Sequence, residues 1–238
     1  MSYFLSIETS SEICSVALSI DNNVMAEQTA LDNNAHASRL TLLINELLRE
    51  SEIEPSTLNG IFLSAGPGSY TGLRIGTSTA KGMCYALGIP LVAIDTLDAL
   101  ISQVQNSEAT FLCPTIDARR TEVYCKLVKA FNKDEIFATT SLILEPNSFK
   151  GYLQEGSIAF FGSGAEKTKA LIQSEKVIFL DEIKPKASAI AQLGFELWKK
   201  GKHENLIEFE PYYLKDFQVK KSSKPLFPPV IKRESYEK

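Results

Sequence analysis

Ile61-Phe62-Leu63-Ser64-Ala65 runs straight into Gly66-Pro67-Gly68-Ser69-Tyr70-Thr71-Gly72-Leu73-Arg74-Ile75-Gly76, and this stretch sets the architecture. Five apolar or small residues bounded by a Gly/Pro turn read as a buried strand. The turn opens a helix over about 71–87, which Gly88-Ile89-Pro90 stops. A glycine-rich loop entering a helix can cradle phosphate, because free N–H groups and the helix dipole point at it. This loop lacks the Gly-Lys-Ser/Thr ending of a Walker A loop, and its glycines are misplaced for a dinucleotide fingerprint. The plainer reading is a tight turn with an N-cap from Ser69 or Thr71. Both readings stand, with Gly66, Gly68 and Ser69 as the candidate phosphate contacts. Within the helix, Gly72, Gly76, Ala80 and Cys84 fall at spacing four and form a ridge of small side chains; Ser78, Gly82 and Ala86 form a second. Each glycine costs roughly 1 kcal/mol of helix propensity relative to alanine, which close approach by another element offsets. One ridge can face the sheet; the other invites a second helix, from this chain or another. Tight packing inside one lobe is the competing explanation. A third stripe, Arg74, Ser78, Lys81 and Tyr85, carries amphipathic side chains suited to an interface.

Working outward, residues 3–8, 13–20 and about 24–30 read as three strands, with Asp21-Asn22-Asn23 as the turn between the last two. Residues 37–50 switch to helical spacing, with Leu40, Leu43, Ile44, Leu47 and Leu48 repeating at three and four. Beyond the opening stretch come a strand at 91–94 and a helix at 96–105. The second half starts again, with strands at 111–116, 122–130 and near 136–144. A helix near 147–155, a short strand at 158–162 and helices at about 165–174 and 187–200 follow. An antiparallel meander followed by right-handed parallel crossovers, given twice, predicts an α/β protein of two tandem lobes. That order is expected of the actin-like ATPase (ASKHA, ribonuclease H-like) fold, with the second lobe reduced. The expected lobes are 1–107 and a smaller 108–218. Residues 219–238 differ, with three prolines and six Lys/Arg against two Glu, a net of +4 that leaves −8 on the rest. Such a segment cannot bury enough surface to order itself, so a mobile tail is expected. Its alternative reading is an RNA-phosphate or partner contact, with the salt dependence that phosphate neutralisation brings.

Composition bounds the function. A chain of 238 residues with 44% hydrophobic and 23% charged residues is an ordinary globular protein. Its net charge of −4 gives no overall basic field to attract nucleic acid, so any such contact must be local or belong to a partner. Cys14, Cys84, Cys113 and Cys125 show no metal or CxxC spacing and sit among apolar neighbours, so they read as reduced core thiols in a cytoplasmic protein. The N-terminus has no signal-peptide pattern, and no apolar stretch reaches the roughly 18 residues of a membrane span. His36 and His203 are the only histidines, in unrelated surroundings, which leaves no expected metal ligand. His36 is expected at a helix end or interface. Glu8-Thr9-Ser10-Ser11-Glu12 joins two strands where actin-like ATPases place a phosphate-binding hairpin, usually Asp-x-Gly. Here Ser10 replaces the glycine, while Glu8 could still hold a cation through water. Glu8 and Ser10 therefore join the candidate nucleotide contacts, beside the reading of a plain hairpin. No Gly-x-Ser-x-Gly elbow points to a serine hydrolase.

Several of these segments together resemble one family. Leu5-Ser6-Ile7-Glu8-Thr9-Ser10 and Cys14-Ser15-Val16-Ala17-Leu18 look like the first hairpin of the TsaB (YeaZ) family, and His36-Ala37-Ser38-Arg39-Leu40 like the start of its first helix. The run Gly66 to Gly76, followed by Ala80-Lys81-Gly82 and Ala86-Leu87-Gly88-Ile89-Pro90, matches its most specific signature. Asp117-Ala118-Arg119-Arg120 with Glu122-Val123-Tyr124, and Pro211-Tyr212-Tyr213-Leu214-Lys215, resemble later motifs, although Lys215 stands where an arginine is more usual.

The resemblance implies a paralogue of TsaD, which transfers a threonylcarbamoyl group to N6 of adenosine 37 in ANN-decoding tRNAs. TsaD carries a metal-binding His-x-x-x-His after the third parallel strand; here Thr96 and Leu100 stand at those places and cannot supply imidazole nitrogens. The expectation is a non-catalytic subunit with no catalytic residues or cofactor of its own, ATP and a metal ion being used on partner subunits. The family pairs through its first two long helices, as homodimers in isolation or with TsaD, and works with the ATPase TsaE. That implies an interface of His36, Arg39, Leu43, Arg74, Ser78, Lys81, Gly82 and Tyr85, contact with tRNA through the complex, and no membrane role. Two other classes compete, an independent metallopeptidase and a sugar-kinase-like ATPase. A metal assay and a nucleotide-hydrolysis assay on the isolated chain separate them.

Overall fold

The computed structural model describes residues 1–31 and 36–214, and the side chains of 31 and 36–38 are outside that description. The expected mobile tail, 219–238, lies outside the described residues.

Strands β1 (Tyr3–Glu8), β2 (Ile13–Ile20), β3 (Asn23–Leu31), β4 (Leu58–Gly66) and β5 (Leu91–Asp95) form one sheet in the order β3-β2-β1-β4-β5. β1, β2 and β3 pair antiparallel, while β4 and β5 join in parallel. The parallel joins need crossovers, which α1 (His36–Glu50) and α2 (Tyr70–Leu87) supply. The second sheet, β6 (Phe111–Asp117), β7 (Glu122–Lys129), β8 (Glu135–Ile143), β9 (Ile158–Phe161) and β10 (Val177–Leu180), has the order β10-β9-β6-β7-β8. Read from β8, this is the first sheet's topology repeated, and the fold is the two-lobed actin-like one. The second lobe keeps five strands. Its reduction lies in its crossover helices, α4 (Lys150–Glu155) and α5 (Ala165–Leu171), which have 6 and 7 residues against 15 and 18 in α1 and α2.

Alternation at period two sorts the residues of β1 and β4. Leu5, Ile7, Ile61 and Leu63 face α1 and α2, where Leu40, Leu43, Leu47, Ala80 and Cys84 complete a core. Phe4 and Phe62 point the other way. Their rings stack 4.7 Å apart, and α6 (Ala187–Lys199) covers them with Ile190, Phe195 and Trp198. Chain order alone places this helix in the second lobe, with 108–218, but it packs across all five strands of the first sheet. Its apolar stripe matches the face that α1 and α2 leave uncovered, and its first turn is tied there by Ala187 N donating to Ser15 Oγ at 2.9 Å. The reciprocal exchange involves α3 (Thr96–Ser102). Leu97, Leu100 and Ile101 lie against Leu112, Ile116 and Phe161 of the second sheet. Each half of the chain lends a helix to the other's sheet, and this seats the two hairpins β1–β2 and β6–β7 across a shared cleft.

Candidate functional site

Two regions could carry function, the outer face of α2 and the cleft between the lobes. On α2 the two ridges part company. A Cβ on Gly72 would stand 2.1 Å from Thr9 O, and one on Gly76 would stand 2.3 Å from Thr9 Oγ1, so this ridge is pressed onto the end of β1. On the other ridge Ser78 and Ala86 are exposed, and among the described residues nothing lies within 4 Å of where a Cβ on Gly82 would be. Tyr85 is 85% exposed, and Leu42 of the neighbouring α1 is half-exposed.

The expected interface residues separate accordingly. Arg39, Arg74, Ser78, Gly82 and Tyr85 are exposed. Arg74 turns back along the helix, with Nη1 donating to the Tyr70 hydroxyl at 3.1 Å and its guanidinium 5.1 Å from that ring's centre. Leu43 is corrected to a core residue, 8% exposed, because it belongs to the inward stripe of α1. The side chain of His36 lies outside the described residues. Lys81 is half-buried and committed within the chain, its Nζ donating to Ile207 O at 3.3 Å and Phe209 O at 3.0 Å. It pins the C-terminal segment along α2. That segment exposes Ile207 almost fully, at 90%, a neighbour of the helix that the sequence gives no periodicity to find.

The cleft has a volume of about 1290 Å³. Ser10, Ser11 and Glu12 wall it from the first hairpin, Gly68 to Thr71 from the start of α2, and Asp117 to Arg120 from the second hairpin. Of the candidate phosphate contacts, Ser10, Gly68 and Ser69 lie in this wall, while Glu8 and Gly66 are buried behind it. The glycine loop and the first hairpin are closed onto each other. Ser69 N donates to Ser10 O at 2.6 Å, and a Cβ on Gly68 would meet that oxygen at 2.3 Å. The N-cap of α2 is Ser69, whose Oγ accepts from Gly72 N at 3.2 Å. Backbone therefore fills the space between loop and hairpin. Glu8 accepts from Ser10 N at 2.5 Å, and burial raises its carboxyl above the ordinary range, which holds the proton on more tightly.

The second hairpin is built differently. Asp117 Oδ1 accepts from Arg119 N at 2.6 Å and from Lys167 Nζ at 2.6 Å, and the same ammonium donates to Glu122 O at 3.0 Å. Arg119 and Arg120 take positive φ, 67° and 50°, and both side chains are exposed at the cleft. The sequence offered them only through the family resemblance.

At the start of α3, Thr96 and Leu100 are fully buried. Asp95 caps the helix, Oδ1 accepting from Leu97 N at 2.7 Å, and Oδ2 accepts from Thr139 Oγ1 at 2.8 Å across the lobes. Burial also raises this carboxyl. Among the described residues no group of three or more His, Cys, Asp or Glu is placed to hold a metal ion. Burial pushes the Cys14 thiol up to about 11 and the Cys84 thiol to about 12, which disfavours the reactive thiolate. No helix among the described residues is long and apolar enough to cross a membrane.

Comparison with known proteins sharpens these observations. Residues 23–221 match the family model described as TsaD, tRNA N6-adenosine threonylcarbamoyltransferase. The chain is 27% identical over 221 residues to the tRNA threonylcarbamoyladenosine biosynthesis protein TsaB of Escherichia coli (strain K12), covering 89% of this chain and 94% of that one. It is 34% identical over 128 residues to the protein of the same name from Bacillus subtilis (strain 168), and spans just over half of its length, 56%. Among solved structures it is similar to YeaZ from Pseudomonas aeruginosa, with a TM-score of 0.76 and 26% identity, covering 90% of this chain and 100% of that one.

Proposed function

The chain belongs to the TsaD-type tRNA N6-adenosine threonylcarbamoyltransferase family, in its TsaB (YeaZ) branch, and from that premise we propose that it is the non-catalytic partner subunit of the transferase. In this reading it binds TsaD through the outer face of α1 and α2 and activates it for threonylcarbamoyl transfer to N6 of adenosine 37 of ANN-decoding tRNAs in the cytoplasm. TsaE joins the assembly, ATP and metal serve on the partner subunits, and this chain alone forms a homodimer through the same face.

The observation that carries the reading is the outward ridge of α2. Gly82 weakens the helix by roughly 1 kcal/mol relative to alanine, yet among the described residues nothing comes within 4 Å of where its Cβ would be. Its absent side chain makes room for a neighbour from outside, flanked by the fully presented Tyr85 ring. Aromatic residues of this kind commonly anchor interfaces. The loss-of-catalysis part is supported by Thr96 and Leu100. Both are core residues at the places where the family's transferase has its metal histidines, so this chain has neither the ligands nor an open space there.

The test is threonylcarbamoyl transfer to tRNA by TsaD, with the threonylcarbamoyl-adenylate donor and TsaE supplied, with and without this chain. Transfer should require the chain, and the chain alone should do nothing. Equal transfer in its absence sinks the reading. Tyr85→Asp should weaken binding to TsaD at least about tenfold, the size of a central aromatic contact, with no change in melting temperature.

A further inference from the structure

We propose that the β6–β7 turn, through the side chains of Arg119 and Arg120, contacts the phosphodiester backbone of the RNA substrate. The inference rests on the partner-subunit reading for the identity of that RNA. Three observations carry it. The turn places two consecutive arginines in the left-handed region, a conformation that Asn and Gly adopt far more readily. The fold commits the two charges only weakly, Arg119 acting on the Tyr124 hydroxyl through its field alone. Among the described residues neither guanidinium has an ion-pair partner, and the turn is fixed instead by the Asp117 carboxylate and Lys167. Lys167 also bridges to Asp117, one of the two carboxylates nearest in sequence to the arginines, the other being Glu122.

The surroundings add to this. Lys184 lies in the same cleft wall, and so does Leu214, where the described chain ends. Among the described residues, Arg119, Arg120 and Lys184 are the cations of this cleft wall. Glu12, Asp117, Glu122 and Asp181 line the same cleft, so the exposed tip suits one or two phosphates and not a long tract.

An extended RNA backbone fits better than a small polyphosphate. A small ligand is usually enclosed over most of its surface, whereas both guanidiniums stand on an exposed tip. The opposite wall, which would have to close on such a ligand, is shut by the Gly68–Ser10 contact.

The experiment measures tRNA binding by the assembled complex of this chain with TsaD as a function of salt. Each phosphate contact contributes about 0.7 to 0.9 to the slope of log affinity against log salt. The double variant Arg119→Gln/Arg120→Gln should make the slope shallower by about 1.4 to 1.8. Arg119→Lys/Arg120→Lys should keep it, since a point charge suffices for phosphate. An unchanged slope in the glutamine variant overturns the proposal. So does a loss of TsaD binding in its place, which would make the turn a protein contact, or displacement of tRNA by millimolar inorganic pyrophosphate in wild type but not in the glutamine variant, which would make it a small-ligand site. The transfer assay with and without the chain judges the partner-subunit reading separately, because it does not depend on these two arginines.

Discussion

The β1–β2 hairpin and the β6–β7 hairpin occupy the same place in two sheets of the same topology, yet backbone packs onto the tip of the first, while side chains pin the tip of the second and leave two arginines exposed. Glu8 ends β1 as a buried carboxyl under Ser10, and Gly68 and Gly72 let α2 press onto the hairpin. Asp117 ends β6 as a half-exposed carboxylate bridged to Lys167, with two arginines beyond it. The strand pattern is dictated by burial on both faces, so it tolerates little variation. The hairpin tips are not buried by the sheet, so their chemistry is set residue by residue. Topology therefore locates a site without saying what it does.

The largest effect should come from breaking the packing that ties the first sheet to the second half of the chain. Phe62 stacks on Phe4, and a Cβ on Gly194 of α6 would stand 2.3 Å from the Phe62 ring. Phe62→Ala should cost about 3 to 5 kcal/mol, a large part of a typical domain's stability. Its mark is that hydrogen exchange rises in α6 as well as in β1 and β4. Phe160→Ala in the second sheet removes a similar ring, packed on Phe149 and Phe179. It should leave α6 protected. Equal loosening of α6 in both variants would mean that the exchanged helix does not belong energetically to the first sheet.

Much of this was legible before the structure. β1 and β4 are buried on both faces, so they read as unbroken apolar runs, and Gly88 announced the end of α2 by the left-handed cap it forms, at φ 67°. β10 was missed, because four half-exposed residues at a sheet edge give no periodicity. The exchange of α3 and α6 was not legible either. Periodicity shows that a helix has an apolar stripe, not which sheet the stripe meets. Helical spacing puts Gly82 and Tyr85 on one surface, and both are exposed. Lys81 looked the same by spacing, but its two carbonyl acceptors lie 126 and 128 residues away in sequence. The Arg119–Arg120 turn carries neither Asn nor Gly, so no turn signal marked its positive φ.

Two glycines of one helix sharpen the contrast between closed and open surfaces. Gly72→Val puts side-chain atoms into the Thr9 carbonyl, which cannot yield without moving β1. A loss of about 1 to 3 kcal/mol is expected, as for other overpacked sites, read as a lower denaturation midpoint. Gly82→Ala meets nothing among the described residues and should stabilise the isolated protein by up to about 1 kcal/mol through helix propensity. If both substitutions destabilise alike, the outward ridge is not free in solution.

The smallest effect tests the closed hairpin through pH. Burial raises the Glu8 carboxyl from its ordinary 4.5, and the hydrogen bonds from Ser10 and Ser64 pull it down by less. A carboxyl raised by folding binds its proton more tightly in the folded chain than in the unfolded one. Its contribution to stability is therefore full below pH 4.5 and is lost as pH rises through the folded value. Glu8→Gln keeps an acceptor for Ser10 N and removes the titration. Melting temperature measured from pH 4.5 upward should fall less steeply in the variant than in wild type, and the two curves should differ most at neutral pH. Parallel curves would mean that Glu8 titrates alike in both states, as it would if water reached the carboxyl. The first hairpin would then be as open as the second, and the difference between the two lobes would rest on the arginines alone.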